Sequence, residues 1–453
     1  MRKHRLATLA AAVIIPVMAL SACGSAQTGN TASPSSGSAA SEGEQTVTFW
    51  YSSAGHAVDT INDLVSKFNA DHKGKITVKA SYQGNYTDVQ QKFSAAVQSK
   101  STPSIMQMND IATAFMIDSK QTTPIYELAK GDKSFDGSSI PKAARKYYSD
   151  SKGLLSLPMS VSEPTMYINK QLATQAGLDV SNPPKTFDDV VQWANTIHEK
   201  TGAYGYSQYM SDSWIFEMLS ANGGLEICNP DNGQGSKQVT GITMTKDLQV
   251  KTFQKIADMF KSGVGLNNGT RNTDVAATFS ANKLGLALSS SAAYTVMGPS
   301  SNVIIAPFPK ISDSKKAGTP IGGNSLWVIK GNHSEAEQKA SYEFGKYLMS
   351  PHAQAVFAKS TGYLFANEKA AQEPEGKEMM ADPNIKVLYK QLEDNPASNA
   401  SLGCRAGAFP LIRKDVIGSF NDALNGTDMK SAMKAAEDKA ATDITSYNKA
   451  ARK

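Results

Sequence analysis

Cysteine is almost missing from this chain of 453 residues, which has three: Cys23, Cys228 and Cys404. So few exclude a disulfide-built scaffold and a cysteine-rich zinc array. Histidine is also sparse. Its six residues, at 4, 56, 72, 198, 333 and 352, form no HExxH and no close pair, so a catalytic zinc has no ligand set. GxGxxG, GxxxxGKS/T and GxSxG are all lacking, and with them the signals for a dinucleotide, a nucleotide phosphate or a nucleophile elbow. Ser149-Asp150-Ser151-Lys152 matches SxxK and Lys200-Thr201-Gly202 matches KTG, the pieces of penicillin-binding enzymes. Gly153 follows Lys152 where a catalytic helix should continue, and no SDN lies between, so both read as chance matches. We therefore expect no metal, no cofactor and no enzyme. Charge of one sign is lacking too. The formal balance is +5, and it is +2 without Arg2, Lys3 and Arg5 of a removable leader. That is too weak to imply a nucleic-acid partner.

What is present starts with an address. The apolar run Leu6–Leu20 follows the basic start and is 15 residues long, short of the roughly 20 needed to span a bilayer, so it reads as a signal-peptide core. Leu20-Ser21-Ala22-Cys23 resembles a bacterial lipobox, which implies cleavage after residue 22 and a diacylglycerol on the Cys23 sulfur. Residues 24–44 hold Ser, Gly, Ala, Thr and Pro with no aromatic or branched aliphatic side chain, a composition that cannot bury enough surface to offset ordering entropy. The expectation is a signal peptide at 1–22, a lipidated cysteine and flexible tether at 23–45, and a folded body held outside the cytoplasm on the bacterial cell membrane.

In the body, Thr46–Tyr51, Ile76–Tyr82 and Ser104–Met108 read as strands. They are separated by the helical spacings of Val58, Ile61, Leu64, Val65 and Phe68, then of Val89, Phe93, Ala96 and Val97. Strand and helix in alternation imply a parallel, doubly wound sheet. Leu154–Asn169 is too long and too proline-marked for one strand and suits a chain crossing between lobes; Val303–Pro309 is a second such stretch. Thr186 and Asp189 predict a capping box for a helix carrying Val190, Val191, Ala194 and Ile197. Further helices are predicted from Val250 to Phe260, from Ala340 to a stop before Pro351, and over most of the chain after Asp382, with strands at Leu284–Leu288 and Leu326–Ile329. The predicted fold class is α/β, two doubly wound lobes joined by crossing hinge segments with a ligand cleft between them. The expected division is 46–157 and 303–350 for the first lobe, 158–302 and 351–453 for the second. Cys228 and Cys404 could pair outside the membrane or remain separate buried thiols, and sequence leaves both open. Loops rich in Gly, Ser, Asn and Tyr at 84–86, 160–162, 289–291, 322–325 and 361–363 suit a polar, oxygen-rich ligand.

Ten segments carry a family resemblance: VTFWYS, FNADHKGKITV, YQGNYTD, PSIMQM, YYSDSKG, MYINKQLATQAGLD, PPKTFDD, GGNSLWV, STGYL and GCRAGAFPLIR. From about Thr46 onward the chain resembles the extracellular solute-binding proteins, family 1, that feed ABC importers, with a periplasmic-binding-protein-like fold. QGNY, YYSDSKG and the GxRxG…IR ending point to its glycerol-phosphate branch. The resemblance implies a small polar solute (glycerol 3-phosphate, a glycerophosphodiester or a sugar), an ABC permease as partner, and a monomer. Arg413 matches the phosphate-contacting arginine, whose fork fits phosphate oxygens bidentately. Ser162 and Ser290 match hydroxyl donors and Gly323 a backbone N–H donor. Tyr86 and Tyr363 match hydroxyl-bearing walls. Asp110 stands where the family has Glu and would accept from glycerol hydroxyls. Trp214 falls near an aromatic position that could face a choline headgroup. Phe365-Ala366 replaces the family's usual Pro and aliphatic after STGYL. A sugar receptor is the second reading. A surface hydrolase acting through Ser149 and a structural adhesin are the readings outside the binding class.

Overall fold

The computed structural model describes residues 43–52, 56–208, 214–235, 237–269, 271–298 and 300–451. The leader and Cys23 lie outside the described residues. From Glu42 onward the chain forms one compact unit. Its strands, in chain order, are β1 (Gln45–Tyr51), β2 (Ile76–Tyr82), β3 (Ile105–Asn109), β4 (Leu157–Ser162), β5 (Pro164–Asn169), β6 (Tyr204–Gln208), β7 (Cys228–Asn229), β8 (Gly241–Ile242), β9 (Leu284–Ser290), β10 (Val303–Ala306) and β11 (Gly322–Val328).

Two sheets organise the body. The first runs β2-β1-β3-β11-β4 and the second β10-β5-β9-β6. β1 pairs parallel with both β2 and β3, as the strand–helix alternation predicts. β11 enters antiparallel between β3 and β4. In β1 the alternation Val47, Phe49, Tyr51 faces inward at period two, and Ile61, Leu64, Val65 and Phe68 of helix His56–Asp71 cover that face. Helix Tyr86–Ser99 starts on a capping box formed by Asn85 and Asp88. Thr186 and Asp189 form the predicted one ahead of helix Phe187–Thr201.

The stretch 154–169 divides as its length implies. β4 belongs to the first sheet and β5 to the second, with the single residue Glu163 between them. Both strands are buried along their whole length, which is why they show no inside–outside alternation.

Two expected boundaries move. Val303–Ala306 pairs with β5, so β10 lies in the second sheet and the chain returns to the first only between 307 and 321. Helix Glu335–Leu348 stops before Pro351, as expected, and what moves is the lobe boundary drawn there. Pro351 is the first residue of a new helix, Pro351–Thr361, capped by Ser350, where its missing N–H costs nothing. That helix packs on helix His56–Asp71, with Thr60 Oγ1 donating to Ser360 Oγ at 2.6 Å, so it sits with the first sheet rather than the second.

Cys228 of β7 and Cys404 are joined by a disulfide, with Cα atoms 5.6 Å apart and a sequence separation of 176. A loop that long confines the unfolded chain strongly. The double variant Cys228→Ser/Cys404→Ser should lose about 2–4 kcal/mol of unfolding free energy. Urea unfolding of both proteins under oxidising conditions checks this.

Candidate functional site

Parallel β1 and β3 end at one edge of the first sheet, where β4 also ends and antiparallel β11 begins. A polar string crosses this edge. The Ser52 N–H donates to Gln107 Oε1 at 3.0 Å. Gln107 Nε2 donates to Asn324 Oδ1 at 3.0 Å, and Asn324 Nδ2 donates to the Tyr86 hydroxyl at 3.1 Å. Tyr86 opens helix Tyr86–Ser99, so the Asn85 cap fixes its backbone. Its hydroxyl also hydrogen-bonds the side chain of Tyr363. Burial pushes the Tyr86 phenol up to about 12 and the nearby Asp110 charge adds to this, against hydrogen bonds from Asn324, Tyr363 and Ser52. The phenol is therefore a neutral O–H at any physiological pH.

Asp110 follows β3 directly. The Tyr147 hydroxyl donates to its main-chain carbonyl at 3.0 Å. Burial raises the Tyr147 phenol well above its ordinary range, with the charges of Asp110 and Glu217 pushing the same way and Arg405 opposing. Tyr147 thus stands between Asp110 on the first sheet's side and Glu217 on the second's.

Glu217 holds Arg413. Arg413 Nε donates to Glu217 Oε1 at 2.5 Å and Nη2 to Oε2 at 2.9 Å, with both side chains less than a tenth exposed. The guanidinium lies 5.4 Å from the centroid of the Phe409 ring. The Nε/Nη2 edge of the arginine is therefore committed to a carboxylate, because a buried cation needs a compensating charge.

Ser162 ends β4 opposite Gly322, and Gly323 faces Val161. A Cβ on Gly323 would lie 2.2 Å from the Ser160 carbonyl oxygen, and its φ of +121° is left-handed, so only glycine fits. Ser290 ends β9 opposite Pro164 and caps a short turn, its hydroxyl accepting from the Ala292 N–H at 3.3 Å. Gly362 comes so near this turn that an added Cβ would lie 3.0 Å from the Ala292 carbonyl oxygen, which places Tyr363 beside it. Trp214 is buried at the start of helix Trp214–Asn222, packed in the same cluster as Ile111, Phe409 and Ile412.

Tyr86 and Tyr363 are thus hydrogen-bonded, the Asp110 charge lies near Tyr86, Ser162 and Gly323 lie along the same edge, and Arg413 is held by Glu217, whose charge is felt at Tyr147. Ser290 ends a strand of the second sheet, and Trp214 packs in the cluster that covers it. Sequence reasoning missed Tyr147 and Glu217 and reached Asn324 only as part of the polar loop 322–325. Tyr147 and Asn324 stand inside the YYSDSKG and GGNSLWV segments, and Glu217 is the one charged residue in the wholly buried helix WIFEMLSAN.

Residues 63–387 match the profile of the family described as bacterial extracellular solute-binding protein. The sn-glycerol-3-phosphate-binding periplasmic protein UgpB of Pectobacterium atrosepticum is 30% identical over 385 residues, covering 83% of this chain and 86% of that protein. Its counterpart in Yersinia enterocolitica is 31% identical over 377 residues, 81% of this chain and 84% of that protein. Among solved structures, UgpB from Mycobacterium tuberculosis in complex with glycerophosphocholine superposes with a TM-score of 0.73 at 19% identity, over 89% of this chain and 100% of that one. The cyclic alpha-maltosyl-1,6-maltose binding protein from Arthrobacter globiformis gives 0.71 at 21% identity, over 89% and 99%. These two likenesses establish the fold.

Proposed function

The chain belongs to the bacterial extracellular solute-binding proteins, and from that premise we propose that it captures glycerol 3-phosphate or a glycerophosphodiester and delivers it to an ABC permease. Arg413, held in line by Glu217, supplies the charge that attracts phosphate. The neutral phenol of Tyr86 donates to oxygen, as do the hydroxyls of Tyr363, Ser162 and Ser290 and the N–H of Gly323. Asp110 accepts from glycerol hydroxyls, because a carboxylate beside phosphate would be repelled. Trp214 offers a face to a quaternary ammonium headgroup. The solute is bound without covalent change. Cys23 carries the lipid anchor, residues 24–44 tether the body outside the cytoplasm, and the protein works as a monomer.

The observation that carries this reading is a buried, carboxylate-paired arginine, Arg413 on Glu217, in the same molecule as a sheet edge where the Tyr86 phenol meets Asn324, Tyr363 and the charge of Asp110. A sugar is the second reading, favoured by the likeness to the maltose-type binding fold and by the aromatic character of Tyr86, Tyr363 and Trp214. A thermal-shift comparison of glycerol 3-phosphate, glycerophosphocholine and maltose decides between them. A ligand at about a hundred times its dissociation constant adds roughly 2.7 kcal/mol to the folded state. The phosphate compounds should raise the melting temperature and maltose should leave it unchanged. A shift with maltose alone would transfer the assignment to a sugar, and steady hydrolysis of glycerophosphocholine would move the protein out of the binding class.

A further inference from the structure

Beside the candidate site lies a second crevice of about 740 Å³, bordered by Asp118, Lys146, Asp150, Lys237 and Arg405. Arg405 crosses it. The residue is anchored on the second sheet's side: Cys404 is disulfide-bonded to Cys228, the Arg405 N–H donates to the Asn232 carbonyl at 2.9 Å, and its Nε and Nη2 reach the carbonyls of Gly233 and Gln234 at 3.3 Å each. Gly233 is tight against it, since a Cβ there would lie 2.2 Å from the Arg405 carbonyl oxygen. From this rigid socket Nη1 donates across the crevice to the carbonyls of Tyr147 and Ser149, at 3.2 Å each, on the first sheet's side. Among the described residues no carboxylate forms an ion pair with Arg405. Asp150 contributes only a more distant field. The four hydrogen bonds of its guanidinium all go to main-chain carbonyls, one pair on each wall.

We infer that Arg405 is a closure latch: a positioning residue that holds the two halves together over a bound solute without touching it. The contact to Tyr147 makes it selective for the loaded state. The same Tyr147 gives its hydroxyl to the Asp110 carbonyl in the candidate site, so a solute that orders Asp110 and Tyr147 also presents the carbonyl that Arg405 grips. A solute whose tight-binding state is closed binds with an apparent affinity reduced by the fraction of time the protein is open. Removing the latch lowers that fraction of closed protein and speeds release. Tyr447 provides a weaker second strut across the same crevice, its hydroxyl donating to Asp118 Oδ2 at 3.1 Å.

This inference rests on the solute-capture reading, and two measurements on the purified chain keep the two apart. The first is release of glycerol 3-phosphate by stopped flow. Arg405→Ala should raise the dissociation rate about tenfold with association changed little, the pattern of a contact made after docking. Arg405→Lys, which keeps the charge but cannot span both carbonyls, should fall on the same side with a smaller rise. Tyr447→Phe, which keeps the packing, should raise release about twofold. The second is small-angle X-ray scattering with and without solute. Arg405→Ala should have a larger radius of gyration than the parent chain both with and without solute, because its contacts across the crevice are made without one. If the parent chain fails to bind glycerol 3-phosphate, the ligand reading falls, and scattering of the solute-free proteins still decides on the latch. Equal radii together with an unchanged release rate would overturn it. So would a fall in association alone.

Discussion

Arg413→Ala is expected to weaken glycerol 3-phosphate binding by at least about a hundredfold, since charge-assisted hydrogen bonds to phosphate contribute roughly 1.5–3 kcal/mol each. Titration calorimetry reads the loss directly. The substitution has a second effect that must be separated from the first. Arg413 and Glu217 are both buried and joined by two hydrogen bonds, so removing the arginine strands a carboxylate in the interior. Breaking such a pair costs about 3–5 kcal/mol of stability. The double variant Arg413→Ala/Glu217→Gln removes the stranded charge and should recover much of that stability while binding stays lost. If the double variant binds glycerol 3-phosphate like the parent chain, Arg413 is only the counter-ion of Glu217 and the phosphate assignment fails. Arg413→Lys is informative because lysine keeps the charge without the planar fork. It should hold part of the affinity if attraction dominates and lose it if the bidentate geometry does.

The same pair marks the limit of what the sequence discloses. The parallel core of the first sheet was legible because β1 and its covering helix carry periods of two and 3.6 in adjacent segments. The caps at Asn85 and Thr186 are local, a few residues from what they bind. Tyr86, Gly323 and Tyr363 lie in short turn-forming motifs whose residue types already suggest a polar wall. Glu217 is different. It looks like an oddity in an apolar helix until Arg413, 196 residues later, is brought against it. The strand β10 shows the same limit at the level of topology. Val-Ile-Ile-Ala reads as a strand, but only its pairing with β5 assigns it to the second sheet. The stop before Pro351 is legible locally, but that Ser350 and Pro351 then start a helix belonging with the first sheet depends on its packing against helix His56–Asp71. Local chemistry is written along the chain, and partnership across it is not.

The second large effect belongs to Glu163, the one residue between β4 and β5 and so the shortest link between the two sheets. It is fully buried. Oε2 accepts from Thr319 Oγ1 at 2.5 Å and from Gln391 Nε2 at 2.8 Å, and Oε1 has no hydrogen-bond partner among the described residues. The main chain at Glu163 exchanges hydrogen bonds with Ser291: its N–H donates to Ser291 Oγ at 3.0 Å, and its carbonyl accepts from the Ser291 N–H at 2.7 Å. Thr319 lies on the return crossing, and Gln391 also accepts from the Phe308 N–H through Oε1 at 2.8 Å, so one carboxyl gathers the segments that link the sheets. None of these partners titrates. Burial drives the carboxyl up to about 8, with the hydrogen bonds from Thr319 and Gln391 pulling only partly back. In the unfolded chain a glutamate titrates near 4.3. Between those values the folded protein holds a proton that the unfolded chain has released, so this group's contribution is complete below about pH 4 and is lost as pH rises through about 8. The slope is about 1.4 kcal/mol per unit while the folded form is protonated and the unfolded form is not. Glu163→Gln keeps the shape of the neutral acid and cannot ionise. Urea unfolding of the two proteins from pH 5 to 9 should therefore give curves that lie close together at pH 5 and separate steadily, with the glutamine variant the more stable by several kcal/mol near pH 8. Carboxylates held below their ordinary range by cations, such as Asp132 beside Lys346, change stability in the opposite direction but identically in both proteins, and cancel from the difference. A difference independent of pH would mean that Glu163 is ionised in the folded state and that water or a cation reaches the hinge.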